Sequence, residues 1–150
     1  MDHSMQAAEL FLGGCNCAQA VFLAFSDLTG IDRKLAAKLA SPFGGGIGRM
    51  REVCGAVSGM FMVLGTLYGY DETTDDTRKK QLYHEVQALA ARFREECGSI
   101  ICREILKNPP SDPNPTPRTA EFYAQRPCAR MVMVAADLLE KFISEHPIEK

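Results

Sequence analysis

The feature that most limits the fold of this chain is the stretch from Val53 to Tyr70, which contains no charged side chain. Such a run is either a helix buried in a protein core or a membrane span. It only just reaches the length of a span, it contains four glycines together with Ser58 and Thr66, and the chain holds no second run of this kind. We therefore predict a buried central helix rather than a membrane segment.

The rest of the chain is predicted to be helical as well. Apolar residues recur at helical spacing in several segments, which Gly, Pro or a capping Asn, Asp or Ser separates. The predicted helices cover residues 4–12, about 17–27, 32–41, about 52–68, 75–96, 99–106 and 127–144, and the proline-rich residues 107–117 form a surface loop. The sequence thus predicts an all-α fold: a single domain over residues 1–150, with six to seven helices in a compact bundle around the uncharged one.

Charge and the N-terminal sequence exclude several functions. The net charge is −2, and no cluster of basic residues of the kind that binds nucleic acid is present. The first residues lack the basic start and the apolar segment of a secretory signal. We therefore expect a cytoplasmic protein that binds neither nucleic acid nor membranes. Cysteines in that compartment serve metal or redox chemistry more often than static disulfides.

Four of the six cysteines occupy the same kind of position. Cys17, Cys54, Cys102 and Cys128 each fall in the first turn of a different predicted helix. The first backbone N–H groups of a helix have no acceptor within it, and the peptide dipoles leave a partial positive charge there. Because a thiolate is stabilised at such an end, the pKa of the cysteine is expected to fall. These four are therefore the candidate catalytic residues.

The neighbours of these cysteines support the same interpretation. Five arginines lie close to them in sequence: Arg49, Arg51, Arg103, Arg126 and Arg130. Four glycines between residues 44 and 48 precede Cys54, and their N–H groups can approach sulfur without obstruction by side chains. Cys15 and Cys97 are weaker candidates, as resolving thiols or as incidental residues.

The segment 54–59, with the sequence CGAVSG, resembles the CGAxxG element of the C_GCAxxG_C_C family, a bacterial and archaeal family to which a redox role is ascribed. The similarity covers most of the chain. The other matching segments are residues 16–20, 43–46 with 52–54, 93–104, and Cys128 before the last helix. The resemblance implies a compact helical domain, four functional cysteines and a redox role. A related domain fused to a multihaem cytochrome is thought to carry an iron–sulfur cluster, so the resemblance also supports a metal site.

Three hypotheses for the function remain open at this stage. In the first, Cys17, Cys54, Cys102 and Cys128 form a thiol–disulfide exchange site. In the second, the same four thiolates bind an iron–sulfur cluster for electron transfer, with zinc in a Cys₄ site as a variant. In the third, the cysteines only pack inside a helical interaction module. No pattern identifies a substrate, and we expect a redox partner protein, with a homodimer as a further option.

Overall fold

The computed structural model describes residues 2–148, and within that range its regular elements are helical. The helices are α1 (His3–Leu12), α2 (Cys17–Ala24), α3 (Ser26–Thr29), α4 (Arg33–Ala40), α5 (Gly44–Ile47), α6 (Gly55–Tyr68), α7 (Asp76–Cys97), α8 (Cys102–Ile105), α9 (Ala120–Gln125) and α10 (Cys128–Glu145), with a 3₁₀ turn at Ser41–Phe43. The predicted all-α class is confirmed. The longer helices form the bundle, and the single-turn elements connect them.

Helices α2 and α6 share the centre of the bundle. Helix α6 packs against α2, α7 and α10, and α1 packs across α2 and α10. The side chains of Val57, Met60, Val63 and Leu64 on α6 and of Val21 on α2 are fully buried. Each side chain of this size contributes roughly 1.5–3 kcal/mol to folding through its burial. The uncharged segment is therefore the central helix that its composition predicts.

The contact between α2 and α6 depends on two glycines that lie four residues apart on one face of α6. A Cβ atom at Gly59 would lie 2.7 Å from the carbonyl oxygen of Ala18 and 3.0 Å from Cβ of Val21. A Cβ atom at Gly55 would lie 3.1 Å from Cβ of Cys17. Because real Cβ atoms do not approach a backbone oxygen as closely as 2.7 Å, the helices can be this near only with glycine at position 59, and a side chain at position 55 would be tightly crowded.

Side-chain caps fix several helix starts where the sequence predicts them. Asn16 accepts a hydrogen bond from the N–H of Gln19, and the Gln19 side chain accepts one from the N–H of Asn16. Asp32 caps α4 and Asp75 caps α7 in the same manner, each accepting a backbone N–H in the first turn.

Two helices begin later than the sequence suggests, because extended backbone precedes each of them. Val53 forms an isolated antiparallel bridge with Ile101, so α6 starts at Gly55 rather than near residue 52. Helix α8 starts at Cys102, since the hydroxyl of Ser99 accepts the N–H of Ile101 instead of capping the helix. The bridge joins the two segments that lead into α6 and α8.

Two further differences concern short elements. Helix α2 ends at Ala24 instead of continuing to about residue 27, and the separate turn α3 follows it. Helix α9 has no counterpart among the predicted helices, because its six residues carry too little periodic pattern to be recognised beside a proline-rich segment. Residues 107–117 contain no helix, which confirms the predicted loop. No helix within residues 2–148 combines the length and the apolar character that crossing a membrane requires.

Replacing Gly59 by alanine should destabilise the protein by about 1–3 kcal/mol, because the new methyl group would force α2 and α6 apart. Gly65 provides a matched control on the same helix, since nothing lies within 4 Å of a Cβ atom there. The Gly65→Ala protein should gain roughly 0.5–1 kcal/mol from helix propensity. Urea unfolding followed by circular dichroism measures both values, and equal stability of the two variants would contradict the proposed helix contact.

Candidate functional site

A cavity of about 310 Å³ lies between the start of α2, the glycine-containing segment before α6, α8 and the start of α10. All four cysteines from the sequence analysis line it: Cys17, Cys54, Cys102 and Cys128. Four arginines line it as well: Arg49, Arg51, Arg118 and Arg126. None of its described lining residues is Asp or Glu. The cavity thus combines thiols with an excess of positive charge.

The tertiary structure brings Cys54 and Cys102 together through backbone pairing. The N–H of Cys54 donates to the carbonyl oxygen of Ile100 at 2.7 Å, and the N–H of Cys102 donates to that of Glu52 at 2.7 Å. Cys54 caps α6 and Cys102 opens α8, so both thiols lie at the beginning of a helix. Gly55, which follows Cys54 in the chain, lies in close contact with Cys17. This contact places Cys17 beside the start of α6.

The glycine loop, residues 44–51, leaves space for this arrangement. Gly45, Gly46 and Gly48 have positive φ angles of 66°, 70° and 56°. A Cβ atom at Gly46 would lie 2.6 Å from Cβ of Cys102, so no other residue fits at this position. The glycines are therefore needed for the turn and for the approach of Cys102.

Cys17 and Cys128 form a hydrogen-bonded pair of thiols. The hydrogen bond from Cys17 lowers the pKa of Cys128 below its ordinary value of 9.0, and the guanidinium groups of Arg126, Arg118 and Arg51 lower it further against the effect of burial. The same hydrogen bond and the burial of the thiol raise the pKa of Cys17 well above 9.0. Within this pair the pKa of Cys128 is therefore the lower, and Cys17 is the thiol that stays protonated to higher pH.

The other two cavity cysteines are not activated. Burial raises the pKa of Cys54 to about 12, although the nearby N–H groups of Ala56 and Val57 act in the opposite direction. Burial also raises the pKa of Cys102, despite a contact of 3.7 Å from Nη1 of Arg51 to its Sγ. The expectation of a lowered pKa at every helix start is therefore wrong for Cys17, Cys54 and Cys102. At Cys54 and Cys102 the loss of hydration outweighs the field of the helix, whereas at Cys17 the hydrogen bond to Cys128 is the larger cause and burial the second.

The two weaker candidates lie outside the cavity. Cys15 and Cys97 are half-buried, do not line the cavity, and have raised pKa values because of their burial. All six cysteines are free thiols. Cys15 and Cys97 therefore belong to the surroundings of the core and not to the site.

Arg51 is the charged residue most deeply enclosed at the site. It is only 4 % exposed, its Nε donates to the carbonyl oxygen of Pro110 at 2.9 Å, and its Nη2 is buried without a hydrogen-bond partner. Arg49 donates to the carbonyl oxygen of Asp112 and to the hydroxyl of Thr116. The proline-rich loop therefore holds two cavity arginines through its backbone and side chains.

Sequence reasoning selects some of these arginines and misses another. Arg49, Arg51 and Arg126 line the cavity, whereas Arg130 and Arg103 do not, and Arg103 instead forms an ion pair with Glu52. Arg118 was not among the predicted neighbours, because it lies beyond the proline-rich loop. Its guanidinium donates to the carbonyl oxygens of Phe11 and Cys15 and lies over the Phe11 ring. The sequence signal that could have indicated Arg118 is its position directly after the proline-rich segment 107–117.

The residues present fit a metal centre in type but not in position. Four thiols are the usual ligands of iron–sulfur clusters and of structural zinc. Within residues 2–148, however, no three side chains of His, Cys, Asp or Glu are arranged so that they could hold one metal ion.

Comparison with known proteins gives one match. The family model described as "Putative redox-active protein (C_GCAxxG_C_C)" matches residues 15–142, which include all four cavity cysteines. No curated protein matches the chain, and no solved structure matches it.

Removal of the Cys17 thiol should raise the pKa of Cys128, because the thiolate then loses its hydrogen-bond donor. Cys17→Ala should shift the rate of Cys128 alkylation by iodoacetamide to higher pH. Cys17→Ser keeps an O–H donor, so the dependence of the Cys128 alkylation rate on pH should stay closer to that of the native protein. Peptide mass spectrometry over a pH series measures the rate at each cysteine.

Cys97→Ala is the control for this experiment, because Cys97 lies outside the cavity. It should leave the Cys128 profile unchanged. The assignment of the pair fails if Cys17→Ala leaves the profile of Cys128 where it is, or if Cys54 is alkylated at lower pH than Cys128.

Proposed function

Because the chain belongs to the C_GCAxxG_C_C family of redox-active proteins, we propose that its cavity is a thiol–disulfide exchange site in which Cys128 attacks and Cys17 resolves. The observation that carries this proposal is the placement of the paired thiols of Cys17 and Cys128 in one cavity with three arginines, Arg51, Arg118 and Arg126. The opposite directions of the two pKa shifts support it. Exchange requires one thiolate and one neighbouring thiol, and the pair supplies both.

The first step is the attack of the Cys128 thiolate on one sulfur of a substrate disulfide. A bond forms between Cys128 Sγ and that sulfur, the substrate S–S bond breaks, and the second substrate sulfur leaves as a thiolate. The positive charges of Arg126, Arg118 and Arg51 favour the ionised form of Cys128 before the attack.

The second step releases the remaining half of the substrate. The leaving thiolate takes the proton of Cys17, whose sulfur then attacks Cys128 Sγ, and the second half of the substrate departs as a thiolate. The substrate disulfide has gained two electrons and has become one thiol and one thiolate. The protein has lost two electrons and carries a Cys17–Cys128 disulfide. Charge and protons balance, since one proton and one negative charge were present at the start.

Cys54 and Cys102 remain protonated during this cycle. Their raised pKa values keep them as thiols at neutral pH, so neither competes with Cys128 as the nucleophile. They line the same cavity, and they form a second dithiol that reacts only after the first pair. Four cysteines thus have two roles, a reactive pair and a protected pair.

Mild oxidation of the reduced protein with diamide should give a Cys17–Cys128 disulfide before any other. Trapping the free thiols with a heavy alkylating reagent and mapping the peptides by mass spectrometry identifies the linkage. Cys128→Ala should abolish this disulfide, whereas Cys15→Ala should not affect it, since Cys15 does not line the cavity.

Two results would contradict the proposed function. One is a Cys54–Cys102 disulfide that forms first while Cys17 and Cys128 stay reduced. The other is a protein that, when purified without oxygen, carries iron and labile sulfide in an amount that accounts for all four cavity thiols. The absorption spectrum and metal analysis of the same preparation measure the second result.

A further inference from the structure

The cavity contains more positive charge than its described residues neutralise. Of the four arginines that line it, Arg49 has the carboxylate of Asp112 at 3.8 Å. Among residues 2–148, the guanidinium groups of Arg51, Arg118 and Arg126 have no carboxylate within salt-bridge distance. The pKa of Arg49 is lowered, by desolvation first and then by the nearby charge of Arg51. The arginines are therefore close enough to repel one another.

Arg51 gives the clearest indication of a missing negative charge. Its side chain is 4 % exposed, and its Nη2 atom is buried without a partner. A buried guanidinium without a counter-ion is costly, because it loses hydration without gaining an ion pair in return. A ligand that brings a negative charge to the cavity would remove this imbalance.

The Cys128 thiolate accounts for only part of the required charge. It supplies one negative charge, whereas Arg51, Arg118 and Arg126 supply three positive charges. Cys54 and Cys102 add none, since burial keeps both as neutral thiols at neutral pH. Two positive charges therefore remain for a substrate when Cys128 is ready to attack.

The size and walls of the cavity restrict the substrate further. A volume of about 310 Å³ is at the lower end of the range for small-molecule sites. Phe11, Phe122 and Met131 contribute apolar walls, and Cys128 lies among them. A small molecule with an apolar middle and charged ends fits this distribution of groups.

We propose that the substrate is a small disulfide that carries carboxylate groups, which Arg51 and Arg126 bind while its sulfur atoms lie beside Cys128. This proposal rests on the exchange function proposed above and names the substrate class of that site. The acidic disulfide takes two electrons and leaves as one acidic thiol, which carries the proton of Cys17, and one acidic thiolate, and the protein retains a Cys17–Cys128 disulfide.

The test compares three disulfides of similar size and different charge: dithiodipropionate, hydroxyethyl disulfide and cystamine, which are anionic, neutral and cationic. The rate of Cys17–Cys128 formation is measured at one pH and one ionic strength. Each rate is divided by that of the same disulfide with free mercaptoethanol, which removes its intrinsic reactivity. The normalised rate should be about ten- to hundredfold higher for dithiodipropionate than for hydroxyethyl disulfide, the factor expected from one charge-assisted hydrogen bond. Cystamine should react most slowly.

Arginine variants show whether the cavity causes this preference. Arg51→Gln and Arg126→Gln should each reduce the ratio between the anionic and the neutral disulfide by about tenfold or more. The ratio is independent of any change in the Cys128 thiolate itself, since both substrates meet the same nucleophile. Arg130→Gln removes a charge from the same helix as Cys128 but outside the cavity, and should retain the ratio.

A binding experiment without redox chemistry separates this proposal from the exchange function. Suberate has the chain length of dithiodipropionate with two methylene groups in place of the sulfurs, and calorimetry should show it binding to the Cys128→Ala protein.

Three outcomes would contradict one proposal or the other. Equal normalised rates for all three disulfides, without suberate binding, would overturn the proposal of an acidic substrate and leave the exchange function intact. No reaction with any disulfide would overturn the exchange function itself. A protein disulfide such as that of insulin reacting faster than dithiodipropionate would also overturn the proposal, in favour of a partner protein.

Discussion

The close contact between α2 and α6 is the interaction on which the rest of the structure depends. Gly55 and Gly59 let the backbone of α6 lie against Ala18, and this contact sets the start of α2 beside the start of α6. Cys17 and Cys54 therefore meet although they are far apart in sequence. A larger residue at Gly59 would push the two helices apart. Gly55 itself lines the cavity, so the contact that closes the core also forms one of its walls.

Burial and the field at a helix start act on the cavity thiols in opposite directions, and the balance differs between them. At Cys54 two helix N–H groups lower the pKa, and desolvation still raises it to about 12. At Cys128 a hydrogen bond from Cys17 and several guanidinium groups outweigh desolvation. The pKa of each thiol at this site therefore follows from the partners of its sulfur, and a position at the start of a helix is not sufficient by itself to lower it.

Local sequence patterns were enough to predict the elements that are stabilised by their own residues. The caps Asn16, Asp32 and Asp75 lie within a few residues of the groups that they satisfy, so each can be identified from its neighbours. The start of α6 could not be predicted in this way. It depends on the bridge between Val53 and Ile101, and the two partners are distant in the chain. Arg118 is a similar case, since it reaches the cavity only because the proline-rich loop folds back over the glycine loop.

The sequence by itself determined the helical class, the buried central helix and the position of four cysteines at or beside helix starts, because these features depend on residues within a few turns of one another. Only the tertiary structure decided that the four thiols share one cavity, that Cys17 pairs with Cys128, and that the cavity has an excess of positive charge. These features depend on contacts between distant segments and on the depth of burial. The pKa of a thiol and the need of an arginine for a counter-ion are set by everything packed around them, and no short stretch of sequence contains that information.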